Sequence, residues 1–171
     1  MNDEIKGVAT PAKSAKRMLS KNFSLEEMTA TTTGLPNVPN EKHIGNLTAL
    51  AVNVLQKIRD GLGKPVKGTS FFRSPEVNAK VKGAVNSQHT LGRAGDIEVE
   101  GVPNADLWHF IVDPKNGIEF DQCIAEHLSE TDPKAGWVHV SFNAEHNRRE
   151  AFSIIKMNGQ NVNRPGLVFE A

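Results

Sequence analysis

Read for hydrophobic period, the chain changes character about halfway along. From Asn46, apolar side chains fall at Leu47, Leu50, Ala51, Val54, Leu55, Ile58 and Leu62. That three-and-four spacing puts them on one side of a helix and predicts the main core helix, ended by Gly61 or Gly63. Upstream, "FSLEEMTA" sets Ser24 three residues before Glu27, the reciprocal pattern that satisfies two orphan N–H groups and starts a short helix. The intervening "TTTGLPNVPNEK" has loop composition. "KPVKGTSFF" reads as a strand. In "RSPEV", Ser74 caps a helix running to about Val81, with Pro75 at its first position, where a missing donor is harmless.

The period then shortens to two. In "GDIEVEG", Asp96, Glu98 and Glu100 share one face of a strand while Ile97 and Val99 take the other. "NADLWHFIVD" returns to the helical period. "FDQCIAEHL" and "GWVHVSF" both alternate and are joined by the polar "SETDPKA", which predicts a β-hairpin with a long loop. Within the second strand, Val138, Val140 and Phe142 form the natural core face, leaving Trp137, His139 and Ser141 on the other. "NRRE" at 147–150 reads as a solvated helix start. Helices mostly early and strands mostly late predict the α+β class, a small antiparallel sheet packed on helices, rather than a βαβ wind.

At 171 residues the chain is long enough for one domain with a proper core and too short for two ordinary ones. Residues 1–20 lack periodicity and are expected to form a flexible or partner-docked tail, with a single domain over 21–171. Lys plus Arg and Asp plus Glu both number 20, which removes the electrostatic case for nucleic acid or an anionic membrane as partner. No apolar run suits a signal peptide or a membrane span, so the expectation is no membrane insertion and export, if any, by another route. The single cysteine, Cys123, excludes an intrachain disulfide and a multi-cysteine metal site. Any metal is left to histidine and carboxylate.

"SQHTLGRAGD" at 87–96 holds such a pair, His89 and Asp96, with little bulk between them. Gly92, Ala94 and Gly95 let the segment close tightly against a sheet, so that the two side chains converge with His139 from a neighbouring strand. Two imidazoles and one carboxylate suit zinc with a fourth position open, which is the arrangement of a catalytic site. On spacing alone, however, isolated His and Asp residues are more often surface or hydrogen-bonded groups. Cys123 and His127, four apart, show no nucleophile activation, and Cys123 reads as a small buried side chain. His43, His109 and His146 read as ordinary surface or interface histidines, and "DIEVE" lacks the register of a calcium loop.

The same ten residues match in full the pattern Ser-x-His-x-x-Gly-x-Ala-x-Asp of the zinc D-alanyl-D-alanine carboxypeptidase family, which includes phage L-alanyl-D-glutamate endolysins and vancomycin-resistance dipeptidases. "LSKNFSLEEMT", "NLTALAVNVLQKIRDGLGKPVKGTSFFRSPEVN", "FDQCIAE" and "GWVHVSFN" follow the order of its short phage and prophage branch, so the chain resembles that family over about residues 19 to 150. The resemblance implies a hedgehog/DD-peptidase-like fold and one Zn2+ per chain, held by His89, Asp96 and His139. It implies that Arg73 contacts the substrate and stabilises charge on the scissile carbonyl oxygen, and that Ser87 helps to hold the substrate. The residues alone also allow Arg73 as a surface cation at a helix N-terminus and Ser87 as a loop cap. The implied reaction is hydrolysis of an amide bond in a peptidoglycan stem peptide, by a bacteriophage or prophage lysis protein held in the host cytoplasm until it reaches the wall, or by a tail-borne hydrolase.

One position departs from the family pattern. Better-known members carry Glu or Asp three residues before the last histidine ligand, where this chain has Gly136. Glu126, Asp132, Asp121 and Glu98 are the nearby acids. Glu126 is preferred as the catalytic carboxylate because a hairpin partner strand lies about 5 Å away, although the loop length leaves its register open. Gly136 also favours a second reading, a non-catalytic zinc-containing module of the same fold that binds wall or other virion proteins.

Overall fold

A computed structural model describes residues 15–170. Residues 1–14 of the segment assigned as a tail lie outside the described residues. Its last residues are packed: Leu19 is buried, and the Leu25 N–H donates to Arg17 O at 2.8 Å.

α1 (Leu25–Met28) is a single turn in which the Ser24 hydroxyl accepts from Glu27 N, the forward half of the capping pattern. α2 (Glu41–Leu50), one wide π turn (Ala51–Leu55) and α3 (Gln56–Leu62) form a continuous helix closed by Gly63 at φ +63°. It begins five residues before Asn46. Asn40 accepts from His43 N while the His43 ring accepts from Asn40 N, so histidine fills the capping-box position usually held by Glu or Gln. The stripe from Leu47 to Ile58 is fully buried, as its spacing predicts.

β1 (Val66–Ser70) leads to α4 (Pro75–Lys80), capped by Ser74 through Val77 N. β2 (Ala94–Val99) and α5 (Asn104–Val112) follow, then β3 (Gln122–Glu126), β4 (Trp137–Ser141), β5 (Glu150–Met157) and β6 (Gln160–Pro165). The six strands form one sheet in the order β1-β2-β4-β3-β5-β6. Ile97, Val99, Cys123, Ala125, Val138 and Val140 belong to the core shared with the long helix and α5. The α+β class stands.

Two expectations are corrected. The sheet is mixed, because β5 pairs with β3 in parallel. After β4 the chain must pass β3 to reach its far edge, and "NRRE" fastens that crossing instead of starting a helix. Arg148 is bound by the Asp121 carboxylate through Nε (2.9 Å) and Nη2 (2.6 Å). Arg149, at φ +55°, donates from its backbone N–H to Phe120 O and sets its guanidinium 4.7 Å from the centre of the Phe120 ring. Beyond residue 150, where no element is expected from the pattern, β5 and β6 form a hairpin. Its turn, Asn158-Gly159, has positive φ at both residues, as a type I′ turn requires.

Candidate metal centre and cleft

Strand register makes the first half of the site. Asp96 on β2 and His139 on β4 are Cα partners, so their side chains stand next to each other on the face turned away from the helices. Asp96 leaves one side of β2 while Ile97, fully buried, leaves the other.

His89 arrives from outside the sheet on a 3-10 turn (Gln88–Leu91). Gly92 ends that turn at φ +68°, and a Cβ there would lie 2.8 Å from His43 O, so the turn rests directly on α2. Asn46 Nδ2 donates to Leu91 O at 2.8 Å from the helix side. From the sheet side, Asp121 accepts from Gln88 Nε2 at 2.6 Å. The Asp121 carboxyl is held down to about 2, chiefly by the Arg148 hydrogen bonds, which outweigh its burial. Phe71 completes the clamp. Its ring occupies the space a Cβ would fill at Gly68 and Gly95, and its carbonyl takes the His89 Nδ1 proton at 2.6 Å. The tautomer is thereby set, with Nε2 turned inward.

The inward atoms converge. His89 Nε2 lies 3.1 Å from Asp96 Oδ1 and 3.2 Å from His139 Nδ1, and His139 Nδ1 lies 2.9 Å from Asp96 Oδ1. All three residues are buried, and theirs is the cluster among the described residues able to hold a metal ion. Ligands on a tetrahedral zinc stand about 3.3 Å apart, given Zn–N and Zn–O bonds near 2.0–2.1 Å. The donor set and its spacing fit. Burial pushes the His89 pKa down despite the neighbouring Asp96, which favours the neutral imidazole a metal needs. Burial alone would raise the Asp96 carboxyl, but its contacts with His139 and His89 outweigh that and hold it well below the usual range.

The triad floors a cleft of about 670 Å³. Arg73 lies at its β1 side, with Nη2 donating to Asp96 Oδ2 at 2.5 Å and Nε to Ser70 Oγ at 2.7 Å. Ser87 lines the cleft, and its side chain makes no capping bond to the turn that it precedes. Glu126 enters from β3. The hairpin pairs Ile124 with His139 and Glu126 with Trp137, so Glu126 shares the face of His139, and its Oε1 lies 4.0 Å from His139 Nδ1. Burial raises the Glu126 carboxyl, opposed by His139. The other acids lie elsewhere: Asp121 binds Arg148 and Gln88, Asp132 caps its own loop through Lys134 N, and Glu98 lines a separate cleft near Lys67.

Gly136 has a backbone reason. It sits at φ +67°, and a Cβ built there would lie 2.0 Å from Glu126 O, so the closing turn presses on the end of β3 and has no room for a side chain. Asn104, buried, fastens the same turn by donating to Ala135 O and Gly136 O. Gly136→Ala is therefore expected to destabilise the protein by about 2 kcal/mol or more through overpacking and left-handed strain. That corresponds to a melting temperature lower by about 5 °C in a domain of this size. An unchanged unfolding curve would show that the turn can move off β3.

The parts that hold the triad, the Phe71 carbonyl and the network of Asp121, Arg148 and Gln88, are not evident in the residue pattern. Glycines inside strands, at Gly68 and Gly95, were the visible trace of Phe71, since they mark close approach by a neighbour.

No curated protein matches the chain. The family model described as Peptidase M15 matches residues 21–127, more than half of its length. That stretch carries Arg73, His89, Asp96 and Glu126 and ends before His139, which β4 contributes through its register with β2. Two of the three donors of a buried set suited to zinc thus lie within the stretch that the metallopeptidase family model matches, and the chain belongs to the Peptidase M15 family.

Proposed function

We propose that this protein is a zinc-dependent hydrolase that cuts an amide bond in bacterial peptidoglycan stem peptides, as a carboxypeptidase or endopeptidase, and serves a phage or prophage as a wall-lytic enzyme. The observation that carries the catalytic reading is the Glu126 carboxylate facing the His89, Asp96 and His139 cluster inside an open cleft. The substrate class and the phage setting rest on the motif resemblance. A zinc ion held by the three side chains would supply a Lewis acid that polarises the amide carbonyl and lowers the pKa of water to about 7.

The remaining steps fall to the protein's own groups. Glu126 accepts the proton of the attacking water and returns it to the leaving amine, and its raised pKa brings it closer to the pH at which a base works best. Arg73 has a double role. Two of its nitrogens hold Asp96 and Ser70, which leaves Nη1 for the carbonyl oxygen as charge develops there. Ser87, with its side chain free of the turn, contacts the bound peptide.

Arg73→Ala is expected to lower turnover on purified sacculi by about 10²-fold or more. Because Asp96 also loses its partner, zinc affinity is expected to fall by about tenfold, with full loading at saturating metal. Unchanged digestion would remove Arg73 from the reaction. The functional test is release of new amino groups from sacculi, abolished by a chelator and restored by zinc. Absence of release from every wall type would favour the non-catalytic module, the reading that Gly136 raises.

A further inference from the structure

Just after Glu126, β3 departs from regular alternation. In a continuing strand, His127 would turn to the face packed on the helices. Instead it adopts φ +58°, which non-glycine residues seldom do, and its side chain lines the cleft with Glu126. Two contacts fix the ring there. The Trp137 ring meets it edge-on at 5.7 Å, and its Nδ1 lies 2.5 Å from Glu170 Oε1.

Glu170 is itself anchored at the far end of the chain. Its backbone N–H donates to Leu128 O at 2.7 Å, and its Oε1 also accepts from Lys156 N at 2.8 Å. A parallel bridge to Ser129 lays this segment along the residues after β3. With Nδ1 committed to a carboxylate, Nε2 is the ring nitrogen left for a ligand. The strand order places β1 and β3 on opposite sides of β2 and β4, so Arg73 and His127 flank the metal-capable triad from opposite sides.

We infer that His127 is a substrate-contacting residue, whose Nε2 hydrogen-bonds the backbone of a bound stem peptide on the β3 side, and that Glu170 is the positioning residue that aims it. This rests on reading the cleft as a peptidase site. In the neutral ring Nε2 is an acceptor and takes a peptide N–H. The C-terminal segment is then part of the site, although it lies outside the stretch matched by the family model.

Kinetics and histidine NMR together test this. His127→Ala is expected to raise KM on a soluble stem pentapeptide ending in D-alanyl-D-alanine by about fivefold, the effect of one hydrogen bond. kcat should stay within about twofold, as for a contact made equally in the ground and transition states. Glu170→Ala should behave the same way, while Glu170→Gln, whose amide oxygen still accepts the Nδ1 proton, should restore most of the affinity. In zinc-loaded Glu126→Gln protein, which is expected to cut the peptide about 10²- to 10⁴-fold more slowly, adding it should shift the His127 Nε2 resonance and leave the Nδ1 bond in place. Parental KM in His127→Ala, or no Nε2 shift up to millimolar peptide, overturns the inference. Should the parent cut no wall, the hydrolase proposal fails on its own, and the NMR shift alone decides for or against the His127 contact.

Discussion

A His139→Ala variant is expected to fold normally, to lose its zinc and to leave sacculi intact. The imidazole is one of three donors within 3.2 Å of one another, and its removal leaves only His89 and Asp96 on the metal. Loss of an outer-shell partner costs about 10–100-fold in affinity, and loss of a ligand costs more. The fold is spared because the backbone around His139 is held by Val138 and Val140, both fully buried on the opposite face. Elemental analysis after dialysis, beside a thermal unfolding curve, separates the two effects. Full zinc content in the variant would remove His139 from the ligand set.

Glu126→Gln should do the opposite: keep zinc and fold but lose about 10²- to 10⁴-fold in turnover, the range for a general acid-base group. The substitution preserves shape and removes only the ability to take a proton. In the parent, a carboxyl whose pKa is raised by burial must be ionised to act as a base. Activity should therefore fall as the pH drops through the pKa of that carboxyl. Full turnover in the variant would assign the proton transfer to another group, and the positions of Asp121, Asp132 and Glu98 away from the triad leave His127 and water as the remaining carriers.

Local patterns carried much of this structure. The apolar stripe from Leu47 to Ile58, the Ser74-Pro75 helix start and the alternation of "WVHVSF" each depend on nearest neighbours, and each occurs as its spacing predicts. Asp96 and His139 were legible as polar residues on strand faces that the pattern left free of the core, and His89 through "SQHTLGRAGD", whose small residues let its turn close on the sheet. What escaped was non-local. The parallel pairing of β5 with β3 leaves no mark on either strand's periodicity. The register of the hairpin depends on left-handed residues, His127 and Gly136, at the two ends of its connection, and loop length alone could not choose the face of Glu126. The Phe71 carbonyl that orients His89 is a backbone atom, and a backbone atom has no residue type to read. "NRRE" misled because two arginines in a polar run resemble a solvated helix, whereas Arg148 here meets a buried carboxylate just before β3.

The most direct measurement is mass spectrometry of the fragments released from purified sacculi by the zinc-loaded protein, beside its Glu126→Gln variant at equal zinc content. The expected result is stem peptides cut at one amide bond by the parent alone, which would also name the bond. Intact stems from the parent, or the same fragments at the same rate from Glu126→Gln, would contradict a zinc hydrolase that works through Glu126.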